Sequence, residues 1–279
     1  MTATDKTVLI TGATDGVGRR VAERLAGAGT TVLVHGRDRI RGAQVLAEIR
    51  NAGGAGVFYP ADLASLSEVR RLAETIRRDH QRLDILINNA GIGVGPRGSA
   101  RQTSQDGHEL RFAVNYLSGL LLTRLLLPLL KATETSRIVN VASVGQQPID
   151  FADVMLARGY SGTRAYCQSK LAQIMFTFDL ARELEGSGTV VNCLHPASYM
   201  NTTMVRIDGI TPMSSVDEGA DAILHLATSS QTATRTGLYF DGLRPSRANA
   251  QADDATARQR LRTLSFQLVG LPQPAVHAT

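Results

Sequence analysis

Short apolar runs alternate with longer stretches of helical period along most of the chain. Thr7–Thr11, Thr31–His35, Gly56–Tyr59, Leu83–Ile87, Arg137–Val141, Thr189–Cys193 and Thr236–Phe240 read as strands. Between them, Val17, Val21, Ala22, Leu25 and Ala26 recur at helical spacing. Further helices are expected over Asp38–Asn51, from Ser65 or Ser67 to His80, and over Leu110–Lys131, Ala165–Glu185, Val216–Thr228 and Arg258–Leu268. Strands and helices in alternation predict an α/β chain. Its doubly wound, seven-stranded parallel sheet would carry helices on both faces. No internal repeat, linker or low-complexity block divides residues 1–279, so one domain is expected.

Composition narrows the class. Hydrophobic residues make up 43% and charged residues 20%, enough apolar material for a sizeable core. The most apolar run, Leu117–Leu130, is shorter than the roughly 20 residues a bilayer requires, and Arg124 interrupts it. It reads as a buried helix, and no membrane span is expected. Met1–Lys6 lacks the apolar core of a signal peptide, and Pro272–Thr279 reads as a frayed tail. The net charge of +5 is scattered, without aromatic interleaving. That favours anionic ligands mildly and gives no nucleic-acid footprint. Cys167 and Cys193 have no metal-ligand spacing, so no metal is expected and a reducing cytoplasm is the simplest setting.

The chemistry collects at predicted strand ends. Gly12-Ala-Thr-Asp-Gly16-Val-Gly18 lies between the first strand and the first helix, the context of a dinucleotide loop and of a Rossmann fold. Gly12 allows the turn, Gly16 lets a pyrophosphate approach, and Gly18 lets helix and strand pack. Arg37 follows the second strand with no carboxylate before it, which suits a ribose 2′-phosphate; Asp38 is placed to cap the next helix. Asn88-Asn89-Ala90-Gly91 ends the fourth strand and Ser143 follows the fifth. Asn115 sits among apolar residues in mid-helix. Gly93–Gly98 is expected to be mobile. Tyr166 and Lys170, four apart, share a helical face, and an ammonium beside a phenol would lower its pKa toward use as a proton donor or acceptor. His195, followed by Pro196, reads as a structural strand-end histidine. Ala197–Ser214 is Met-rich and irregular, a candidate lid over about 197–215.

With these residues in place, the chain resembles the short-chain dehydrogenase/reductase family from Val8 to about Tyr239. The motifs are Thr11-Gly12-x3-Gly16-x-Gly18, Asp62, Asn88–Gly91, Asn115, Ser143 and Tyr166-x3-Lys170. Tyr160–Ala172 is most similar to the retinol-dehydrogenase and carbonyl-reductase-like branch. The resemblance implies that Tyr166 is the general acid or base, that Lys170 lowers its pKa and holds the nicotinamide ribose, and that Ser143 binds the substrate oxygen. Asn115 would hold a proton-relaying water. The resemblance lays the cofactor along Gly12, Thr14, Asp15, Gly16, Val17, Gly18, Arg37, Asp62, Leu63, Asn89, Ala90, Gly91, Tyr166, Lys170, Pro196 and Thr202. Ala197 stands where many members have glycine, and Asn201 and Thr202 compete for the contact to the carboxamide.

The expected function is NADPH-dependent carbonyl reduction. Phe151, Met155, Met200, Met204 and Met213 suggest a bulky hydrophobic ketone or alcohol as substrate, such as a secondary-metabolite intermediate. A non-catalytic dinucleotide sensor is the alternative from another class. An extended epimerase or dehydratase needs more chain than follows Phe240. The insert Gly145–Gly162 could shape the pocket or cover a face used for association, so a homo-oligomer stays open.

Overall fold

Apolar β-branched runs build one sheet. In the computed structural model, which describes residues 6–27, 29–96 and 98–273, the strand order is β3-β2-β1-β4-β5-β6-β7-β8. The strands are β1 (Lys6–Ile10), β2 (Thr30–Gly36), β3 (Ala55–Pro60), β4 (Ile85–Asn88), β5 (Ser136–Val141), β6 (Thr189–His195), β7 (Leu238–Asp241) and β8 (Arg244–Ser246). The seven expected strands pair in parallel. β8 is additional, and it pairs antiparallel with β7 at the sheet's edge. Its three residues are all exposed, so it has no apolar alternation to mark it in the sequence. Pro245 within it suits an edge, where a missing N–H costs little.

The helices are α1 (Gly16–Leu25), α2 (Arg39–Asn51), α3 (Leu66–Asp79), α4 (Ser118–Lys131), α5 (Gly162–Glu183), α6 (Thr203–Ile207), α7 (Val216–Thr228) and α8 (Ala255–Leu268). Successive strand residues point to opposite faces. Val8, Ile10, Val32 and Val34 meet α1, α2 and α7 on one side. Leu9, Leu33 and Leu86 meet α3, α4 and α5 on the other. Asp38 caps α2 as expected, and Ser65 rather than Ser67 caps α3. The expected Leu110–Lys131 helix is interrupted: Phe112–Leu117 is a π-helical turn that runs into α4. By length and composition Phe112–Lys131 could cross a membrane, but 67% of its apolar window is buried in the fold, against α3 and the sheet.

α8 covers the outer face of α4 and α5. Arg258 donates to Asp179 at 2.7 Å, and Ser265 and Tyr116 share a hydrogen bond of 2.8 Å. Arg124, which interrupts the apolar run, pairs with Glu183 and lies 4.9 Å above the Phe266 ring. The insert before α5 packs on that helix's first turns, where Gln168 bonds Asp150 and Val154. Ile149 and Gln251 exchange two hydrogen bonds, and Ile149, Val154 and Leu156 are buried. Met1–Asp5 and most of the expected tail lie outside the described residues.

A polar seam crosses the apolar layer beneath β4 and β5. Asn88 Nδ2 donates to Thr123 Oγ1 at 2.9 Å and to Asn140 Oδ1 at 2.8 Å; Asn140 Nδ2 donates to Thr177 Oγ1 at 2.8 Å. All four residues are buried. Asn140→Leu keeps the branched shape but removes one acceptor from the Asn88 amide and the donor to Thr177, so it should cost about 1–3 kcal/mol. A fall in the urea midpoint with an unchanged m-value would show this. An unchanged midpoint would mean the seam relaxes without loss.

Candidate active site

Strand order reverses between β1 and β4, and a crevice opens there at the strands' C-terminal ends. The loops at these ends are bound to each other. Asn89 N–H and Ala90 N–H both donate to Thr11 Oγ1 at 3.0 Å, and Asn89 Nδ2 donates to the carbonyls of Thr11 at 2.8 Å and Gly12 at 3.2 Å. Gly12 has φ +66°, and a Cβ there would lie 2.9 Å from Ala90 Cα. Gly18 has the Gly12 carbonyl directly against it, closer than any Cβ would allow. The glycines are therefore required by close backbone approach. The first turn of α1 faces the crevice, where its N–H groups suit an anion. Asp15 caps that turn by accepting from Gly16 N–H at 2.8 Å. Val17 is buried against the sheet, and Thr14 packs on Gly36.

The structure distinguishes side chains from backbone among the expected cofactor residues. The Asn89 amide is taken up by the glycine turn, so it shapes the loop. Leu63 is 5% exposed and lies in the core, which leaves only its backbone for a ligand. Asp62 Oδ1 accepts from Ala64 N–H at 3.0 Å and orders its own turn. Arg37 is exposed at the end of β2. Arg41, absent from the sequence reading, reaches back from the first turn of α2 to Asp15 at 3.3 Å and Asp38 at 3.5 Å. It offsets both carboxylates beside Arg37. His35 was also missed. Its Nδ1 accepts from Gly12 N–H at 3.2 Å, so Nε2 carries the proton toward Ala61 O, also 3.2 Å away. Burial pulls its pKa down to about 4 and keeps it neutral.

Ser143, Tyr166 and Lys170 come together where β5 and α5 meet. Ser143 Oγ accepts from Gly145 N–H at 3.0 Å, on the same side of Gly145 as the Tyr166 ring. A Cβ on Gly145 would sit 3.4 Å from Ser143 Oγ and 3.5 Å from the Tyr166 ring. Gln146 Nε2 and Tyr239 OH hold the Ser143 carbonyl at 2.9 and 3.2 Å. Lys170 Nζ donates to Val141 O at 2.8 Å and Gln173 Oε1 at 3.0 Å, 5.7 Å from the centre of the Tyr166 ring. The expected lowering of the Tyr166 pKa is not seen. Burial pushes Tyr166 up to about 12, against a smaller opposite pull from Ser143, and pushes Lys170 down from 10.5 to about 7. Desolvation acts against the charged form of each.

Asn115 lies in the π-helical turn. Its Oδ1 accepts from Ile92 N–H at 2.8 Å, and its Nδ2 donates to Ile92 O at 3.2 Å and Ser169 Oγ at 3.0 Å. Its amide thus braces the loop after Gly91. Beyond it, Arg111 donates to Gly93 O at 2.8 Å and Val94 O at 2.7 Å, and Asp208 accepts from Val94 and Gly95 N–H. Residues 93–95, the start of the Gly93–Gly98 segment expected to be mobile, are each hydrogen-bonded to a side chain distant in sequence. Pro196 is buried behind β6. His195 bonds Ser198 at 3.1 Å, in keeping with a structural role. Thr202 caps α6 and touches Gly16, whereas Asn201 is exposed and bonded to Arg206. Phe151, Met155 and Met200 pack on the core. Met204 and Met213 remain exposed on the lid segment with Tyr199 and Ile207, and Val144 is exposed beside Ser143.

The sequence model of the short chain dehydrogenase family matches residues 6–209. The chain belongs to that family. It is 37% identical over 294 residues to human retinol dehydrogenase 13, covering 97% of this chain and 86% of the relative. A Mycobacterium paratuberculosis protein of known structure superposes with TM-score 0.80 at 32% identity, covering 97% of this chain and 95% of that one. A Pseudomonas aeruginosa RhlG/NADP active-site complex superposes with TM-score 0.70 at 29% identity, covering 85% and 94%. This short chain dehydrogenase is an NAD(P)-dependent oxidoreductase acting on CH–OH and C=O groups.

The opposed shifts have a consequence for stability. The unfolded chain binds a proton on Lys170 up to pH 10.5, whereas the native chain releases it near 7. Between those values the unfolded state holds more protons, so this lysine makes stability rise with pH. Lys170→Met should flatten that rise between about pH 7 and 9 in urea titrations. Parallel curves for the two proteins would mean that Lys170 stays charged in the fold.

Proposed function

We propose that this short chain dehydrogenase is an NADPH-dependent reductase of bulky hydrophobic ketones or aldehydes. The observation that carries the reading is the gathering of Ser143, Tyr166 and the buried Lys170 where β5 and α5 meet. With its pKa pushed up to about 12, Tyr166 keeps its proton at neutral pH and can donate it to a carbonyl oxygen held by Ser143. Donation leaves a phenolate that burial disfavours, so the proton has to be restored after each transfer. Lys170, brought to about 7, can exchange protons near neutrality. The nicotinamide, when bound, supplies the hydride, and the glycine turn is shaped to hold its pyrophosphate. Thr202, touching Gly16 at the lid, is the better placed of the two candidates for the carboxamide.

Three features support the finer assignments. Exposed Arg37, with Arg41 offsetting Asp15 and Asp38, gives the β2 end a positive balance suited to a 2′-phosphate. Val144, Tyr199, Met204 and Ile207 give the entrance an apolar rim. Cys167 and Cys193 are both free and buried, which suits a reducing cytoplasm. α8 occupies the face of α4 and α5, so a homo-oligomer would be built on another surface.

Tyr166→Phe should lose about 10²–10⁴-fold in kcat while NADPH still binds. Undiminished turnover would remove Tyr166 from the chemistry. For the cofactor, Arg37→Ala should weaken NADPH binding by roughly tenfold to a hundredfold, the loss of one charge-assisted bond of about 1.5–3 kcal/mol, and should spare NADH. Equal losses for the two cofactors in paired titrations would show a solvated loop arginine.

A further inference from the structure

Residues 91–95 form a strap that runs from the Lys170 end of the catalytic cluster to Asp208 on the lid segment. At one end, a Cβ on Gly91 would lie 3.3 Å from Asn115 Oδ1 and 3.6 Å from Lys170 Nζ. At the other end two successive amides converge on one carboxylate. Val94 N–H donates to Asp208 Oδ2 at 3.1 Å and Gly95 N–H to Asp208 Oδ1 at 2.8 Å. Gly93 lies against the same carboxylate, so closely that any Cβ would collide with it. Behind the strap, Arg111 holds its carbonyls, but Glu109 at 3.7 Å matches that charge. Asp208 is only half-buried. It therefore presents a negative charge at the entrance, and that charge is felt at Tyr166.

We propose that Asp208 is a specificity residue that selects uncharged carbonyl substrates by filling the anion-binding pair of amides at Val94 and Gly95. The inference rests on the carbonyl-reductase reading. Successive N–H groups of this kind make a concavity that would receive a substrate carboxylate. Here the chain's own carboxylate already occupies it. An acidic substrate meets like charge and no free donors, whereas a neutral one meets Tyr199, Met204 and Ile207 on the same segment. No sequence motif announces this, because the contact joins residues 113 and 114 apart.

The test compares para-acetylbenzoate with its methyl ester, which differ in charge but share the ketone. Both are assayed with NADPH on the unmutated protein, Asp208→Asn and Asp208→Ala. The unmutated protein should favour the ester, and the ratio of the two kcat/KM values should fall by about tenfold or more in both variants. Asp208→Asn keeps the shape and one acceptor, so it separates charge from loss of the strap. A ratio in Asp208→Asn within about twofold of the unmutated protein's would overturn the inference, as would a loss confined to NADPH affinity. If the unmutated protein turns over neither probe, the carbonyl-reductase reading itself fails, and this inference with it.

Discussion

The tie between Thr11 and Asn89 joins the C-terminal ends of β1 and β4, and the rest of the site is assembled from that join. One hydroxyl receives two backbone N–H groups, and one amide holds two carbonyls of the glycine turn. The turn can form only because Gly12 adopts a positive φ and lies against Ala90. With the turn fixed, α1 starts in the crevice. With Asn89 fixed, the chain leaves β4 toward Asn115 and Lys170. Cofactor cradle and catalytic cluster are thus placed by the same few bonds, and His35 adds a third strand through Gly12 and Ala61.

Burial dominates the electrostatics of the catalytic cluster. Tyr166 and Lys170 are each driven toward the neutral form, and the lysine's hydrogen bonds go to a backbone carbonyl and a glutamine. Two carbonyl-type oxygens stabilise an ammonium less than a carboxylate would. The site therefore holds one transferable proton on Tyr166 and a second group that titrates near neutrality. That arrangement suits repeated proton delivery better than storage of a fixed charge.

Period and punctuation disclosed most of the architecture. The seven parallel strands follow from apolar runs bounded by Gly, Asp and Pro, and the helices follow from 3.6-residue spacing and Ser or Asp caps. β8 escaped because three exposed residues carry no pattern. Ser143, Tyr166 and Lys170 were legible because they follow a strand end or share one helical face. Arg41, His35, Gln146, Tyr239 and Asp208 were not, since their partners are set by tertiary folding. The glycine-rich strap read as mobile for the same reason. Its own residues lack side chains to hold it, but Arg111 and Asp208 supply the bonds from elsewhere. The Phe151, Met155 and Met200 side chains are partly buried and packed against the core, a placement that the apolar pattern alone does not separate from a pocket wall.

The π-helical turn at Phe112–Leu117 has a consequence for how this chain can vary. Such a turn holds one residue more than the α-helical turn it replaces, and each residue advances a helix by about 100°. The wider turn absorbs that residue, so Asn115 is turned toward the strap while Phe112, Tyr116 and Leu117 stay in the core with the leucines of α4. A single deletion inside the turn would return it to α-helical form with the flanking helix still in register, and what it would remove is the placement of Asn115 against Ile92 and Ser169.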